Sequence, residues 1–441
     1  MKKKILFIEN RTNIFFYNLI SKILISKNIE VHWLIQNKIY KPECGIKHII
    51  DYPSKDQLKL NFPKKLINVS KKDRNINYYN GNTKHYNYYY YEIKKIVKKI
   101  KPDLIIGETS LFHELITLEI SKDLKFLYLF PSPTRFANKK ISFYKFGSPN
   151  LYKKKNIKSF KKIKVKEFYE KINNNEIYKS IWHHGYKIYI NKIYFWALNL
   201  IARIQGEKFN TPSVFSKFTL ELKKLKLKFL WKLFSIDLNH DIFNNNKLIV
   251  LYPLQMQPEA NLDVWGFPYR DQFSIVKNLA RTLKNEIIIV KPNPKFKYEV
   301  SNKLIQLSKK YKNIYLMNSK ILMADLLKKV NIVFSLTGSI LFECVIKKKP
   351  AITLMHDTKL FQFDGIKKIK KYSDLNKIVK QIKKNKFVFS NEKDLKKYCS
   401  YIEKNTFDSI EQLDYSPSNY SKSYSRKFLN NFSNILINFS K

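Results

Sequence analysis

Three short segments carry side chains that could bind an anion, and each of them follows an apolar run. They are Tyr252–Glu259, Lys291–Pro294 and Thr337–Glu343. If the apolar runs are parallel strands, their carboxyl ends meet at one edge of a sheet, so all three segments would face one crevice. A helix that begins there offers unpaired N–H groups and a partial positive charge, both of which suit a phosphate.

The third segment gives the sharpest signal. Gly338 permits a tight turn from strand to helix, while Thr337 and Ser339 add hydroxyl donors to the N–H groups of the helix start. Glu343 would lie one helical turn beyond Ser339, where a carboxylate can accept hydrogen bonds from ribose hydroxyls. The alternative is an ordinary helix that begins at a serine cap and carries a surface glutamate.

The other two segments add amide, carboxylate and ammonium groups. Gln257 and Glu259 could hold a sugar or its nucleotide through bidentate contacts. Lys291 could neutralise a phosphate, and Asn293 could donate a hydrogen bond to it. As an alternative, Lys291 is one of 84 basic residues without a special role.

The amino-terminal half offers a candidate general base. Glu108 follows an apolar run that ends at Gly107, so its carboxylate would point into the cleft from the opposite wall and could deprotonate an acceptor hydroxyl. Glu9, Asn10 and Arg11, which follow the first apolar run, are competitors for a role there. Arg11 and Arg135 could also clamp a phosphate or the acceptor.

Other patterns add no further site. His113 and Glu114 fall within a predicted helix and fit side chains on a helical face without a chemical role. The sequence has no GxGxxG fingerprint, P-loop, GxSxG elbow or HExxH motif. It also has no Asp-x-Asp pair to hold a sugar diphosphate through a metal, so we expect neither a metal nor a cofactor.

Apolar runs alternate with helical periodicity in both halves of the chain, which predicts an α/β fold with two Rossmann-like, doubly wound domains facing a cleft. The strands predicted in the first half are Lys4–Ile8, Glu30–Gln36, Asp103–Gly107 and Lys125–Phe130. Those predicted in the second half are Lys247–Tyr252, Glu286–Lys291, Asn313–Met317, Asn331–Ser335 and Ala351–Leu354.

Composition divides the chain into four regions. Residues 1–150 form a first Rossmann-like domain, 151–240 a basic, aromatic and helical connector, 241–390 a second Rossmann-like domain, and 391–441 terminal helices and a tail. Between Leu151 and Ser235 there are 20 Lys or Arg residues against 5 Asp or Glu. Within that region, Leu222–Leu233 alternates apolar residues with lysines, as an interfacial amphipathic helix does. A solvated linker helix packed on one domain is the alternative.

Bulk properties narrow the partners and the compartment. The net charge of +49 suggests a polyanionic partner, but a basic drift in composition explains it as well, and no nucleic-acid-binding motif accompanies it. Cys44, Cys344 and Cys399 form no CxxC pair, which fits a reducing compartment. No segment has the roughly 18 apolar residues of a spanning helix. We expect a cytoplasmic protein that does not bind nucleic acid. A further expectation is peripheral contact with an anionic membrane, at the inner face of the cell membrane.

The motifs together resemble one known family. The sequence LYPLQMQPEANLDVWGFPYRDQ at Leu251–Gln272, VKPNP at Val290–Pro294 and SLTGSILFECVIKKKP at Ser335–Pro350 are similar to the capsular polysaccharide biosynthesis protein family, which has the GT-B glycosyltransferase fold. PTRFANKKISFY at Pro133–Tyr144 resembles its arginine loop more weakly. Family members typically have His-Pro where this chain has Asn293 and Pro294, and the relatives that transfer Kdo from CMP-Kdo rely on that histidine.

The resemblance implies a cytoplasmic glycosyltransferase that moves a sugar from a nucleotide donor to a surface or capsular polysaccharide or its lipid-linked acceptor. The amino-terminal half would bind the acceptor and supply Glu108 as the base. The carboxyl-terminal half would bind the nucleotide sugar through Gln257, Glu259, Lys291, Asn293, Thr337, Gly338, Ser339 and Glu343.

Two alternatives stay open. A sugar-nucleotide 2-epimerase has the same double-Rossmann architecture and binds a UDP-sugar in the same crevice, but it needs no acceptor surface. A basic, non-catalytic protein that binds anionic glycan or membrane would need neither a base nor a nucleotide site.

Overall fold

The computed structural model describes residues 2–134, 139–153, 187–354, 362–413 and 424–441. These residues belong to two compact units. The first unit contains the described residues up to 216 and those from 399 onward, and the second contains the described residues from 217 to 398.

The helices and strands alternate along most of the chain. The strands are β1 (Lys4–Ile8), β2 (Glu30–Ile35), β3 (Ile46–Ile49), β4 (Leu104–Ile106), β5 (Tyr128–Pro133), β6 (Lys140–Lys145), β7 (Ser235–Ile236), β8 (Ile249–Pro253), β9 (Ile287–Lys291), β10 (Ile314–Met317), β11 (Ile332–Phe334), β12 (Ala351–Thr353), β13 (Ile366–Lys368) and β14 (Thr406–Asp408). The α-helices are α1 (Ile14–Ser26), α2 (Ile67–Ser70), α3 (Arg74–Tyr78), α4 (Tyr86–Ile100), α5 (Phe112–Asp123), α6 (Lys187–Ile204), α7 (Val214–Phe234), α8 (Ala260–Asp263), α9 (Gln272–Thr282), α10 (Asn302–Lys310), α11 (Met323–Lys329), α12 (Ile340–Ile346), α13 (Asp374–Lys383), α14 (Glu392–Asn405) and α15 (Arg426–Ser440).

The first unit is built on a seven-stranded sheet with the order β14-β6-β5-β4-β1-β2-β3. The five strands from β5 to β3 are parallel, and Phe7 of β1 pairs with Trp33 of β2 and with Ile106 of β4. The residues of β1, β2 and β4 are almost all buried, as expected for central strands of a doubly wound sheet, whereas the edge strand β3 is largely exposed. β6 and β14 run antiparallel at one edge.

Aromatic side chains from the two ends of the sequence fill the core of the first unit. Phe16 of α1 meets Phe432 of α15 with ring centroids 5.2 Å apart, and Phe143 of β6 meets Phe439 of α15 at 4.8 Å. All four rings are buried. Helix α15 therefore completes the hydrophobic core that β1 and α1 begin.

The second unit is built on a fully parallel seven-stranded sheet with the order β13-β12-β11-β8-β9-β10-β7. Its central strands are continuous apolar runs, as expected for parallel strands buried on both faces. Helix α7 joins this core through Trp231, whose indole N–H donates to the carbonyl of Met317 at 2.9 Å and whose ring lies 6.5 Å from that of Phe296.

The fold class predicted from the sequence is confirmed: the protein is α/β, with two Rossmann-like units. The predicted parallel strands match β1, β2, β4, β5 and β8–β12 to within a few residues. The described part of the predicted connector is shared between the units, because α6 packs in the first core through Phe195 and α7 packs in the second through Leu227 and Trp231. Within the described ranges, no helix is long and apolar enough to cross a membrane.

Candidate functional site

Each sheet has one point where the strand order reverses, and open α/β sheets bind ligands in the crevice at the carboxyl ends of such strands. In the first sheet the reversal lies between β1 and β4, which end next to Asn10 and Glu108. In the second it lies between β8 and β11, which lead to Gln255 and Thr337. Most of the predicted site residues lie at these two points.

Glu108 is held by side chains from both sides of the first reversal point. The Asn13 amide donates to its Oε1, and the Asn10 amide and the Ser110 hydroxyl donate to its Oε2 at 3.3 and 3.4 Å. The Tyr128 hydroxyl donates to the backbone carbonyl of Glu108 at 2.5 Å, which fixes the turn after β4. Glu108 as a whole residue is half-buried, and its carboxyl group is held in one orientation by these hydrogen bonds.

Glu114 anchors the turn that carries Glu108. Its carboxylate accepts the backbone N–H groups of Glu108, Ser110 and Leu111 at 2.8, 3.1 and 2.9 Å. The Asn10 amide donates to it as well, at 2.7 Å. The sequence predicts Glu114 as a helical-face residue without a role, whereas the structure buries it as the group that organises the turn.

Burial and the nearby carboxylate of Glu114 raise the pKa of Glu108 from 4.5 to about 7, although Asn13, the Arg74 guanidinium and Ser110 act in the opposite direction. A carboxyl group with this pKa exchanges its proton near neutral pH. It can therefore act as a general base or a general acid on a bound hydroxyl.

The other candidates near β1 are tied to neighbouring structure. Arg11 has a left-handed backbone, with φ 43°, and its guanidinium donates to the Asn210 carbonyl at 2.6 Å and to the Thr211 hydroxyl at 3.1 Å. Glu9 is buried and accepts the backbone N–H groups of Arg11 and Asn37 at 2.5 and 3.0 Å. Both residues hold loops in place, and Arg11 is half-buried rather than fully open to an acceptor.

His113 has a structural role as well. Its Nε2–H donates to the carbonyl of Glu9 at 2.7 Å, and its Nδ1 accepts from the Asn210 amide at 3.1 Å. Both ring nitrogens are thus engaged in the buried interior.

Sequence reasoning missed a second cation near Glu108. The guanidinium of Arg74, at the start of α3, lies close enough to lower the pKa of Glu108. Its Nε is buried and has no hydrogen-bond partner among the described residues. The sequence does contain a signal for the helix that positions Arg74: Asp73 is a typical N-cap residue, and its carboxylate caps α3 by accepting the Asn75 N–H at 2.7 Å. Arg135, the other predicted acceptor residue, lies outside the described residues.

In the second unit, Gln255 joins the two strands of the reversal point. Its amide donates to the backbone carbonyl of Thr337 and, at 2.7 Å, to the hydroxyl of Thr337. Gly338 follows with a left-handed backbone, φ 105°, and an added Cβ would lie 3.1 Å from the Gln255 amide nitrogen. Only glycine fits this turn easily, because both the backbone conformation and the close approach disfavour a side chain.

Gln257 is used inside its own loop. Its amide donates to Asp263 at 3.0 Å and to the carbonyl of Arg270 at 3.2 Å, and its oxygen accepts from Gln272 at 3.0 Å. Gln272 also binds the backbone of Gln255 through both ends of its amide. The bidentate ligand contact predicted for Gln257 would therefore compete with three internal hydrogen bonds. In the structure, the Gln257 side chain supports its own loop. Glu259 is half-buried and accepts a hydrogen bond from Asn261 at 3.3 Å.

Lys291 ends β9, the strand next to β8, and is 1 % exposed. Its ammonium donates to the carbonyl of Ser319 at 3.3 Å, the one hydrogen bond that it makes to any described residue. Burial lowers the pKa of Lys291 from 10.5 to about 8. A buried ammonium has three donors and favours an anionic partner, so Lys291 has the donors of a phosphate ligand, but its side chain, like that of Glu343, is enclosed in this structure.

The remaining predicted residues differ in accessibility. Asn293 and Ser339 are half-buried. The side-chain Oδ1 of Asn293 accepts the backbone N–H of Lys295 at 3.0 Å, which leaves the side-chain nitrogen of Asn293 for another contact. Ser339 precedes α12 and makes no side-chain cap there. Glu343 is 3 % exposed and lies inside α12, so the structure does not place its carboxylate on an open surface.

Within the described parts of the chain, no group of three or more His, Cys, Asp or Glu residues is arranged to hold a metal ion. The first edge presents a carboxyl group with a near-neutral pKa, and the second presents a buried ammonium beside a glycine turn.

No protein-family model matches the chain, and no curated protein sequence matches it. Solved structures similar to it include the KpsC beta-Kdo 2,7 transferase of Thermosulfurimonas dismutans, at 12% identity over 83% of each chain and a TM-score of 0.34. The UDP-N-acetylglucosamine 2-epimerase of Rickettsia bellii is 14% identical over 92% of this chain and 94% of its own, with a TM-score of 0.29. The UDP-GlcNAc 2-epimerase of Methanocaldococcus jannaschii, in complex with UDP-GlcNAc and UDP, is 14% identical over 91% and 99%, with a TM-score of 0.28. Identities and TM-scores this low carry no activity over to this chain.

Proposed function

We propose that this protein is a glycosyltransferase that moves a sugar from a nucleotide donor to a surface or capsular polysaccharide or to its lipid-linked acceptor. The observation that carries the proposal is Glu108, a half-buried and firmly oriented carboxyl group with a pKa of about 7 at the reversal point of the first sheet. The resemblance of residues 251–350 to capsular polysaccharide biosynthesis proteins supports the substrate class.

In the proposed reaction, Glu108 accepts the proton of an acceptor hydroxyl as the oxygen bonds to the anomeric carbon of the donor sugar. The bond between that carbon and the donor phosphate breaks, and its electron pair leaves with the nucleotide. Asn10, Asn13 and Ser110 keep the carboxylate in a single orientation through the hydrogen bonds described above.

The donor site in this proposal is the edge of the second sheet. The ammonium of Lys291 would bind a phosphate, with donors from Asn293 and Ser339 beside it. Gly338 leaves space for the backbone to approach the ligand, Thr337 and Gln257 support the loops, and Glu259 is the half-buried carboxylate available to a sugar hydroxyl. By the resemblance, the enzyme works in the cytoplasm, at the inner face of the membrane where a lipid-linked acceptor would be held.

A sugar-nucleotide 2-epimerase is the second candidate, since a carboxyl group with a pKa of about 7 can also move a proton to and from a sugar carbon. The two activities differ in what they consume. An epimerase converts a nucleotide sugar without an acceptor, whereas a transferase releases the nucleotide and lengthens a glycan.

A panel of CMP-, UDP-, GDP- and dTDP-sugars tests the proposal. We expect at least one of them to raise the thermal unfolding temperature of the full chain, because a ligand that binds only the folded state stabilises it by mass action. The stabilising donor is then incubated with and without capsular glycan, and the products are read by NMR. Nucleotide released only in the presence of glycan supports transfer, an isomerised donor without glycan supports epimerisation, and no stabilisation by any member contradicts both.

The pH profile of kcat/KM should be bell-shaped, with its maximum between about 7 and about 8. Activity should rise through pH 7 because Glu108 must lose its proton to act as a base, and it should fall above pH 8 because Lys291 must keep its proton to bind phosphate. The K291R variant should extend the alkaline side, since arginine stays protonated. A profile that is flat from pH 6 to 8 would contradict the role of Glu108.

A further inference from the structure

Helix α7 carries an exposed apolar row along one side. Its members are all large and are between 51% and 76% exposed: Phe215, Phe218, Leu222, Leu225, Phe229 and Leu233. They recur every three or four residues, which places them on a single helical face about five turns long. Such a continuous row is different from the scattered apolar residues found on most protein surfaces.

The opposite face of the same helix is anchored in the protein. Leu227 and Trp231 are buried in the core of the second unit, and Trp231 is fixed there by its hydrogen bond to Met317. Residues 227 and 231 lie about half a turn away from the centre of the exposed row. The row therefore remains exposed while the opposite face of the helix is anchored through these two residues.

Lysines border the row on both sides. The helix contains six lysines and one acidic residue, Glu221, which pairs with Lys224 at 2.7 Å. On a helical projection, Lys226 falls next to one margin of the row, and Lys228 and Lys232 fall near the other. An anionic partner must therefore meet positive charge on both sides of an apolar strip.

The preceding helix, α6 of the first unit, has exposed apolar side chains of its own. In α6, Ile193, Trp196, Ile201 and Ile204 are between 45% and 78% exposed. Tryptophan is one of the residues that favours the boundary between lipid and water.

We infer that the exposed face of α7 binds in the interface of an anionic lipid bilayer. The helix lies parallel to the membrane plane, with its apolar row at the boundary between the headgroups and the acyl chains and its lysines among the lipid phosphates. A continuous anionic surface can pair with the lysines on both sides of the apolar row at once. A narrow protein helix would cover the row and leave those lysines unpaired. This binding requires no nucleotide and no acceptor, so it stands apart from the proposed sugar transfer.

The test is co-sedimentation of the full chain with vesicles of phosphatidylcholine, with and without phosphatidylglycerol. We expect the parent protein to bind the anionic vesicles and the triple variant F218S/L225S/F229S to bind at least about tenfold more weakly, because three apolar side chains no longer enter the lipid. The matched control is L60S/L322S/V388S, which replaces exposed apolar residues elsewhere and should bind like the parent. Unchanged thermal unfolding of both variants establishes that they fold.

Salt separates insertion from simple attraction of a basic protein to negative charge. Raising the salt concentration should weaken the parent's binding without abolishing it, because the apolar contribution is not screened. Equal binding by the parent and the F218S/L225S/F229S variant, or complete loss at high salt, would overturn the inference. So would a parent that does not bind vesicles but forms a dimer that the variant does not form, since the row would then be covered by a second copy.

Discussion

Replacing Glu108 with Gln is expected to lower kcat for sugar transfer by at least about 100-fold, the usual minimum loss when a general base is removed. Glutamine keeps the size of the side chain and one acceptor oxygen for the Asn13 amide, so the turn after β4 should keep its structure. It cannot accept a proton from the acceptor hydroxyl. The thermal shift given by the donor should remain, because Glu108 belongs to the first unit and Lys291 to the second.

The same substitution should change how stability depends on pH. The pKa of Glu108 is about 7 in the folded protein and near 4.5 when exposed, so the folded state binds this proton more tightly. Its stabilising contribution is present below pH 4.5 and is lost as the pH rises through 7. We therefore expect the stability of E108Q relative to the parent to increase by roughly 1–3 kcal/mol from pH 5 to pH 8, measured by urea unfolding.

Glu119 provides the matched control. It lies on α5, pairs with Lys122 at 2.9 Å and has a side chain that is 25% exposed. The E119Q variant should match the parent in kcat and in the pH dependence of its unfolding. If E108Q and E119Q transfer sugar equally well, Glu108 is not the base.

Replacing Lys291 with Met should stabilise the ligand-free protein and weaken nucleotide binding. The folded pKa of about 8 lies below the ordinary 10.5, so at pH 7 the buried ammonium is charged at a cost to the folded state. Between about pH 8 and pH 10.5 the free energy of unfolding rises with pH, because the Lys291 side chain then holds its proton in the unfolded chain but not in the folded protein. Methionine fills similar space without charge, so we expect a gain of roughly 1–3 kcal/mol in the free energy of unfolding.

The loss of affinity follows from the same burial. A charge-assisted hydrogen bond to phosphate contributes about 1.5–3 kcal/mol, so the nucleotide should dissociate roughly 10- to 100-fold more readily from K291M, as measured by calorimetry. K295M is the control, because Lys295 is exposed four residues further along the same loop. A variant that is both less stable and unchanged in affinity would show that Lys291 supports the fold instead of the ligand.

The strands were predictable where their apolar runs are long and lie between clear turns. Lys4–Ile8 and Ile287–Lys291 are examples, since burial on both faces requires an unbroken apolar sequence. The antiparallel edge was missed. β14 has three residues, too few for a periodic signal, and its pairing with β6 depends on a contact between Phe407 and Ile141 that lies more than 250 residues apart in sequence.

The position of the candidate site was predictable from the sequence, but which of its side chains are available to a ligand and which support the backbone was not. The ends of the strands indicated Glu108 and Lys291, because parallel strands place their carboxyl ends at one edge. The roles of Gln257 and Glu114 were not visible, because an amide or a carboxylate serves either a ligand or the backbone depending on which N–H groups the fold brings to it. Gln257 accepts from the Gln272 amide and donates to the Asp263 carboxylate, while Glu114 accepts from the turn after β4, and tertiary structure sets all of these distances.

Because α15 completes the core begun by α1, the order in which the two units are synthesised does not match the order in which their hydrophobic cores can be completed. The described residues from 217 to 398 are synthesised before Phe428 and Phe432, so the strands of the second unit are complete while the first unit still lacks a helix. Until α15 is made, Phe16 has no aromatic cover from it, and the core that α1 begins stays incomplete.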